Sequence, residues 1–164
     1  MAVIDLFGGA FRGKRVFVTG HTGFKGSWLC RWLAGMGADV AGYALEPPTS
    51  PNNFEAAKVD SCLARHTIAD VRDRDNLSRE ISEFDPDLIL HLAAQPLVRE
   101  SYRDPVTTVA TNVMGTVNLL EAVRARKKNC VIIVVTSDKC YENREWLYGY
   151  RETDPMGGHD PYSM

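Results

Sequence analysis

The stretch from residue 16 to residue 33 constrains this chain of 164 residues most, because a strand, a glycine turn and a helix follow one another there without a gap. A short apolar run ends at Val18, and Gly20, Gly23 and Gly26 follow at intervals of three residues. Apolar side chains then recur at helical spacing: they are Phe24, Trp28, Leu29, Trp32, Leu33 and Met36. The pattern predicts a β-strand that passes through a glycine turn directly into a helix.

This glycine turn has the composition of a site for a diphosphate group. A pyrophosphate on the N-terminus of a helix requires backbone N–H groups that point at it and no Cβ in the way, which glycine provides. Such a motif is informative only where it follows a strand and opens a helix, as this one does. We therefore predict a dinucleotide-binding opening at residues 20–26; a glycine-rich turn without a ligand is the alternative.

Further along the chain, apolar segments suited to strands alternate with segments suited to helices. The predicted strands after the first are residues 39–45, 65–69, 88–92 and 131–135. Predicted helices begin at Asp73 and at Asp104, each of which can act as an N-cap. This alternation predicts an α/β fold: a Rossmann-like, doubly wound parallel sheet with helices on both faces, in one domain over residues 1–164.

The last third of the chain contains one long helix and one long loop. The helix runs from Asp104 to about Arg126, and its spacing predicts an inward apolar face. The residues of that face are Val109, Val113, Val117, Leu120 and Val123. From Tyr141 onwards the apolar periodicity is lost, and the segment is rich in Tyr, Glu, Gly and Pro. We predict a long ordered loop there, and loops of this length in compact domains commonly carry function.

The composition argues against several other classes of protein. A formal net charge of −2 and the lack of a basic stripe argue against a nucleic-acid partner. No apolar run is long enough to span a membrane and the N-terminus lacks a signal-peptide pattern, so we expect a cytoplasmic protein with no membrane partner. The four cysteines and four histidines lack the spacing of metal ligands, which predicts free thiols and no metal site. His91, inside an apolar run, is interpreted as a core histidine.

Polar residues follow several of the predicted strands, where ligands of open α/β sheets collect. Asp70 follows the third strand, residues 93–95 follow the fourth, and Ser137, Asp138 and Lys139 follow the fifth. These three side chains offer a hydroxyl, a carboxylate and an amine, and Tyr162 adds a phenol. A phenol has an ordinary pKa near 10, so it needs a neighbouring cation to act as a base near pH 7. A capping role for Asp70 and a solvated position for Lys139 are the simpler alternatives.

Taken together, these residues resemble the extended short-chain dehydrogenases/reductases, and within them the nucleotide-sugar 4,6-dehydratases. The resemblance lies in the glycine motif at residues 19–26, the His-Leu-Ala-Ala-Gln motif at residues 91–95, the asparagine motif at residues 111–116 and the strand-five motif at residues 136–141. Further strings are similar to the branch of this family that acts on CDP-glucose. They are residues 21–28, 95–99, 143–146 and 156–158.

The resemblance implies NAD as the cofactor, a nucleotide sugar, CDP-glucose, as the substrate, and a homo-oligomer that pairs through helices including residues 105–126. It also implies a set of cofactor-binding residues. They are Gly20, Thr22, Gly23, Phe24, Lys25, Gly26, Asp70, Val71, Leu92, Ala93, Ala94, Gln95, Asn112 and Thr136. For Lys25 two interpretations stay open: an approach to the cofactor phosphates, or a solvated position at the helix start, where a cation faces the unfavourable end of the dipole.

The resemblance assigns the catalytic roles to four residues. Ser137 would bind the sugar O4, and Tyr162 would remove its proton while a hydride passes from C4 to NAD. Asp138 would then protonate the departing 6-hydroxyl, and Lys139 would act as the base at C5, for which the lysine must be neutral in part. The dTDP-glucose branch has an Asp-Glu pair in place of Asp138 and Lys139. Epimerases and decarboxylases of the same superfamily are a second possibility, although their reactions have no evident use for this pair.

The chain departs from the family pattern in two places. It stops two residues before the lysine of the Tyr-x-x-x-Lys motif. We therefore expect a truncated NAD-binding domain without the C-terminal substrate domain, inactive by itself; a chain of this natural length would instead be a non-catalytic dinucleotide-binding module. Ala44 stands where an NAD-selective acidic residue is expected, with Glu46 two residues later. The choice of NAD over NADP thus depends on the resemblance.

Overall fold

The structure, a computed structural model that describes residues 3–163, is built around a five-stranded sheet. Its strands are β1 (Arg15–Thr19), β2 (Asp39–Ala44), β3 (Arg65–Ile68), β4 (Leu88–His91) and β5 (Val131–Val134). They lie in the order β3-β2-β1-β4-β5, and all neighbouring pairs are parallel. The chain reverses its direction of travel through the sheet beside β1, as it does in doubly wound folds. The predicted fold class is confirmed.

Within the described residues, six α-helices connect or flank these strands. They are α1 (Phe24–Gly35), α2 (Asn53–Ala56), α3 (Arg74–Phe84), α4 (Val98–Arg103), α5 (Pro105–Val109) and α6 (Gly115–Arg124). Short 3₁₀ segments cover Val3–Gly9 and Val59–Cys62, and a π-helical turn, Ala110–Met114, joins α5 to α6. Asp73 caps α3 through the backbone N–H of Asn76, as predicted. The sequence interpretation missed α4, which is short and carries mostly polar residues.

The sheet is covered on both faces because β1 alternates apolar side chains towards each of them. Val16 and Val18 face α1, where Leu33 and Met36 complete one core. Phe17 faces the other side, where the core contains residues from α3 and α6. They are Leu77, Ile81, Phe84, Leu119 and Ala122. Both layers meet at β1, which places the turn after β1 in the centre of the sheet edge.

The predicted inward face of the long helix was wrong at three of its five positions, whereas Val109 is half-buried and Val123 packs against the core. Val113, Val117 and Leu120 are 48%, 41% and 43% exposed, whereas Leu119 is fully buried. The π-helical turn adds a residue to one turn and changes which side of the helix faces the sheet. Small and polar residues occupy the inner side: a Cβ on Gly115 would lie 2.8 Å from Val71 Cγ2. An apolar ridge on α5 and α6 therefore faces outward.

Within residues 3–163, no helix combines the length and the apolar character that crossing a bilayer requires. All four cysteines are free thiols, as predicted, and burial raises the pKa of the Cys30 thiol to about 12.

Candidate active site

The glycine loop between β1 and α1 is shaped by contacts that exclude larger residues. Gly20 has φ = +73°, and a Cβ there would lie 2.8 Å from the backbone nitrogen of Ala93. A Cβ on Gly26 would overlap the carbonyl oxygen of Gly20. The loop thus lies directly against the end of β4 and the first turn of α1, and glycine is required for both approaches.

The first turn of α1 presents backbone donors at the carboxyl end of β1. Gly23 precedes the helix, and no side chain caps it. Ser27 points back instead, since its N–H and hydroxyl both bond the Gly23 carbonyl, at 2.9 and 2.8 Å. The Thr22 hydroxyl donates to the carbonyl of Leu45 at 2.8 Å and so fastens the loop to the end of β2. An uncapped helix N-terminus beside a loop without side chains fits the pyrophosphate of a dinucleotide.

Under the glycine loop lies His21, a buried histidine with no hydrogen-bond partner for either ring nitrogen among the described residues. Its ring occupies the space above Gly42, where a Cβ would overlap it. His66 and Phe54 pack edge-on against the ring, with centroids 4.8 and 5.4 Å away. Burial, with a contribution from His66, lowers the pKa of His21 to about 4, so this histidine is neutral at pH 7.

His91, at the end of β4, is held from two sides. Its Nδ1 lies 2.7 Å from the Thr19 hydroxyl and its Nε2 lies 3.2 Å from the Thr116 hydroxyl. Thr116 donates its own proton to the carbonyl of Asn112 at 2.7 Å, so it must accept a hydrogen bond from the histidine. His91 is therefore the neutral Nε2–H tautomer, and burial lowers its pKa to about 4. The interpretation of His91 as a core histidine is confirmed.

The backbone of the segment after β4 is held by hydrogen bonds to two side chains, those of Thr19 and Asn112. Thr19 Oγ1 accepts from the N–H groups of Leu92 and Ala93, both at 3.1 Å. Asn112 accepts from the N–H of Gln95 at 2.8 Å and donates to its carbonyl at 3.1 Å. The Asn112 amide thus holds Gln95 against the π-helical turn.

At the end of β3, the Asp70 carboxylate is engaged by its own neighbour. It accepts from Arg72 Nε at 2.8 Å and from the Arg72 backbone N–H at 2.9 Å. The Arg72 hydrogen bond holds the pKa of Asp70 below its usual range. Val71 is 4% exposed and packs in the core between the sheet and α6. At the end of β2, Ala44 is buried and Glu46 is exposed, so no acidic side chain ends that strand.

After β5, Ser137, Asp138 and Lys139 form one hydrogen-bonded group near the surface. Asp138 Oδ2 lies 3.3 Å from Lys139 Nζ, and these side chains are 82% and 56% exposed. Lys139 holds the pKa of Asp138 below its usual range, with a smaller contribution from Ser137. In this arrangement Asp138 is an anion paired with a cation.

The long loop returns to this group through a short antiparallel contact. Tyr141 pairs with Met156, and the N–H of Gly157 bonds the carbonyl of Cys140 at 3.0 Å. Inside the loop, the rings of Tyr141 and Tyr150 stack with centroids 5.5 Å apart. Tyr162 follows six residues after the pairing, and its hydroxyl has no hydrogen-bond partner among residues 3–163. Ser137, Asp138 and Lys139 thus follow the carboxyl end of β5, and the loop brings the segment before Tyr162 back beside the residues that come after them. Within residues 3–163 the structure contains no cluster of metal ligands.

The parallel sheet, the glycine loop and the uncapped helix define the class: a dinucleotide-binding α/β protein. A family model described as GDP-mannose 4,6 dehydratase matches residues 17–164, so the chain belongs to that family.

Known proteins support this placement. The chain is 57% identical, over 93% of its length, to CDP-glucose 4,6-dehydratase from Salmonella typhimurium, of which it covers 42%. UDP-glucose-4-epimerase from Stenotrophomonas maltophila, solved with NAD and a formylated UDP-arabinopyranose, superposes with a TM-score of 0.79 at 26% identity, covering 92% of this chain and 44% of that one. UDP-glucose 4-epimerase from Thermus thermophilus, solved with NAD, gives a TM-score of 0.76 at 30% identity, with 90% and 46% covered. The chain thus spans less than half the length of these relatives.

Proposed function

We propose that the protein containing this chain is an NAD-dependent 4,6-dehydratase that converts CDP-glucose to CDP-4-keto-6-deoxyglucose. The observation that carries the proposal is the Ser137, Asp138 and Lys139 group, which lies at the same edge of the sheet as the glycine loop. The choice of CDP-glucose is supported by the 57% identity to a CDP-glucose 4,6-dehydratase.

The glycine loop and the N-terminus of α1 would hold the cofactor pyrophosphate through backbone N–H groups. The ends of β3 and β4, at Asp70 and residues 92–95, would form the adjoining walls, and Thr136 would lie beside the nicotinamide. When bound, NAD supplies an acceptor for the hydride of C4 and the donor that returns it to C6. NAD is supported by the solved epimerases that contain it. Ala44 leaves the preference for NAD over NADP without a residue to enforce it.

Four side chains of this chain would carry out the proton transfers. Ser137 would donate a hydrogen bond to O4 of the sugar, and Tyr162 would remove the O4 proton. Once C4 is a ketone, the C5 proton is acidic, and Lys139 would take it. Asp138 would give a proton to the departing 6-hydroxyl, so that water leaves. When the hydride returns to C6, Lys139 would give its proton back to C5, and the O4 proton taken by Tyr162 would replace the one that Asp138 gave, so that all three groups regain their starting states. The contact between Asp138 and Lys139 supports their assignment as a pair, because both would act in the same elimination step.

The outward ridge of α5 and α6 supports a homo-oligomer. Val106, Val113, Val117 and Leu120 are between 41% and 78% exposed along this helix. Apolar side chains in a continuous row on a helix fit the same row on a second copy. We propose that two copies pair through this ridge.

The activity is tested by mixing the full-length protein with CDP-glucose and NAD and following the 4-keto-6-deoxy product by mass spectrometry, which detects the loss of one water. UDP-, GDP- and dTDP-glucose serve as matched substrates. Product from CDP-glucose at the highest kcat/KM is expected. Product from another nucleotide sugar alone would contradict the substrate, and no loss of water from any of them would contradict the reaction.

An epimerase is the second candidate, because solved UDP-glucose 4-epimerases have the same fold. The same assay separates the two, since an epimer has the mass of its substrate. Residues 1–164 by themselves are expected to give no turnover, because the relatives have more than twice this length and the sugar nucleotide needs further contacts. NAD binding by this segment without turnover in the full-length protein would instead support a non-catalytic binding module.

A further inference from the structure

The residues around Tyr162 form the kind of turn that starts a helix. Asp160 Oδ1 accepts hydrogen bonds from the N–H groups of Tyr162 at 2.9 Å and Ser163 at 3.1 Å. The Ser163 hydroxyl bonds the other oxygen of the same carboxylate. Pro161 occupies the first position after the cap, where its missing N–H is no loss. Asp160 therefore serves as an N-cap, with Tyr162 at the second position of the turn.

The same pattern of an aspartate cap followed by proline is found at the start of α5. Asp104 precedes Pro105, and its carboxylate accepts from the N–H of Thr107 at 2.9 Å. In both turns the third residue after the aspartate carries a hydroxyl, Thr107 or Ser163. Asp104 starts a helix at a distance from the β5 motif in the sequence, so it is an internal control for what the cap alone contributes to stability.

Tyr162 depends on this turn because no residue in the described part of the chain holds the polar end of its ring. Its hydroxyl has no partner among residues 3–163, so the direction of the phenol is set by the backbone that carries it. The turn is itself held on two sides. A Cβ on Gly158 would overlap the side chain of Ser163, which is 8% exposed, and the Tyr102 hydroxyl lies 3.4 Å from the carbonyl of His159.

We propose that Asp160 is a positioning residue for Tyr162: by binding the N–H of the tyrosine, its carboxylate fixes the backbone from which the phenol projects. This role rests on the proposed function, in which Tyr162 takes the O4 proton. The charge is suited to the place, since the Ser163 hydroxyl, the N–H groups of the turn and the nearby Lys139 ammonium all hold the pKa of Asp160 below its usual range.

The test compares Asp160→Ala, Asp160→Asn and the control Asp104→Ala in the full-length protein. We expect Asp160→Ala to lower kcat about tenfold or more, as a misdirected catalytic group does, while KM for CDP-glucose changes less than about twofold. Asp160→Asn should restore most of kcat, because an amide oxygen accepts the same N–H bonds. Asp104→Ala should lower Tm by about as much as Asp160→Ala does, because each loses one helix cap, and it should leave kcat within about twofold of wild type.

An unchanged kcat in Asp160→Ala would overturn the proposal, and so would an equal fall of kcat in Asp104→Ala, because the effect would then follow stability alone. If Asp160→Ala does not fold, Gly158→Ala is the second variant, since it displaces Ser163 while leaving the carboxylate in place; it should lower kcat with KM unchanged, and a wild-type kcat would count against the proposal. The wild-type protein is assayed first. If it acts on a different nucleotide sugar, the substrate proposal fails, and the variants are compared on that sugar instead.

Discussion

The two ends of the candidate site, the glycine loop after β1 and the group after β5, are built in different ways. In the glycine loop the ligand groups are backbone N–H donors, and close contacts at Gly20 and Gly26 hold them in place. After β5 the groups are exposed side chains, Asp138 and Lys139, on a loop that closes through one short antiparallel contact. The proposed binding region thus consists of closely packed backbone, whereas the proposed chemistry is carried by exposed side chains.

The largest effect is expected from removing Lys139, the proposed base in the group after β5. Lys139→Met keeps the length of the side chain but deletes the amine, so the C5 proton has no acceptor. We expect the rate of water loss to fall by about 10³-fold, while NAD affinity stays within about twofold, because the glycine loop is untouched. The measurements are product formation from CDP-glucose and NAD titration of the same preparation.

Ser61→Ala is a suitable control for Lys139→Met, since this hydroxyl only bonds the carbonyl of Lys58 on the exposed surface. A Lys139→Met variant with the wild-type rate of water loss would show that Lys139 is not the base, and that the chemistry is carried by other residues. A large loss of NAD affinity in the same variant would mean that the two regions are coupled.

The second-largest effect is expected from a substitution in the glycine loop. In Gly26→Ala the new Cβ meets the Gly20 carbonyl, a backbone atom that moves only with the whole turn. We expect NAD affinity to fall by about tenfold or more and the free energy of unfolding to fall by about 1–3 kcal/mol. The matched control is Gly149→Ala, where a Cβ meets no atom within 4 Å. Equal results for the two variants, by calorimetric titration and urea unfolding, would contradict the tight packing of the loop.

A decrease in pH should destabilise the fold through its two buried histidines, His21 and His91. The pKa values of His21 and His91 are lowered from 6.5 to about 4 in the folded chain, so the unfolded chain binds more protons between these values. Stability should therefore be complete above about pH 6.5 and fall as the pH decreases towards 4, by roughly 2 kcal/mol for each histidine between pH 7 and pH 5. Urea unfolding of the wild type and of His91→Asn at pH 7 and at pH 5 measures this loss of stability. An equal loss in the two proteins would show that His91 contributes nothing.

The features that the sequence predicts well are those that depend on neighbours in the chain. Gly20, Gly23 and Gly26 follow a strand directly, and Asp73 and Asp104 cap helices through residues three positions later. The outward face of Val113 and Val117 was beyond prediction because a π-helical turn has no signal in apolar spacing. The position of the His21 ring depends on Gly42, a residue from the next strand. The capping role of Asp160 had an available signal, since Asp-Pro also precedes α5, but its contact with the site depends on closure of the loop.

The smallest effect is expected at Lys25, which lies in the first turn of α1, next to the glycine loop. The side chain starts α1 but lies along its outer groove with Phe24, Trp28 and Leu29, away from the buried face that contains Gly26 and Ser27. This position favours the solvated interpretation over an approach to the phosphates. We expect Lys25→Met to change NAD affinity by less than about fivefold, because a cation at a helix N-terminus contributes at most about 1 kcal/mol and the backbone donors remain. Titration at low and high salt measures it, and a tenfold loss that disappears at high salt would mean that the ammonium reaches the phosphates after all.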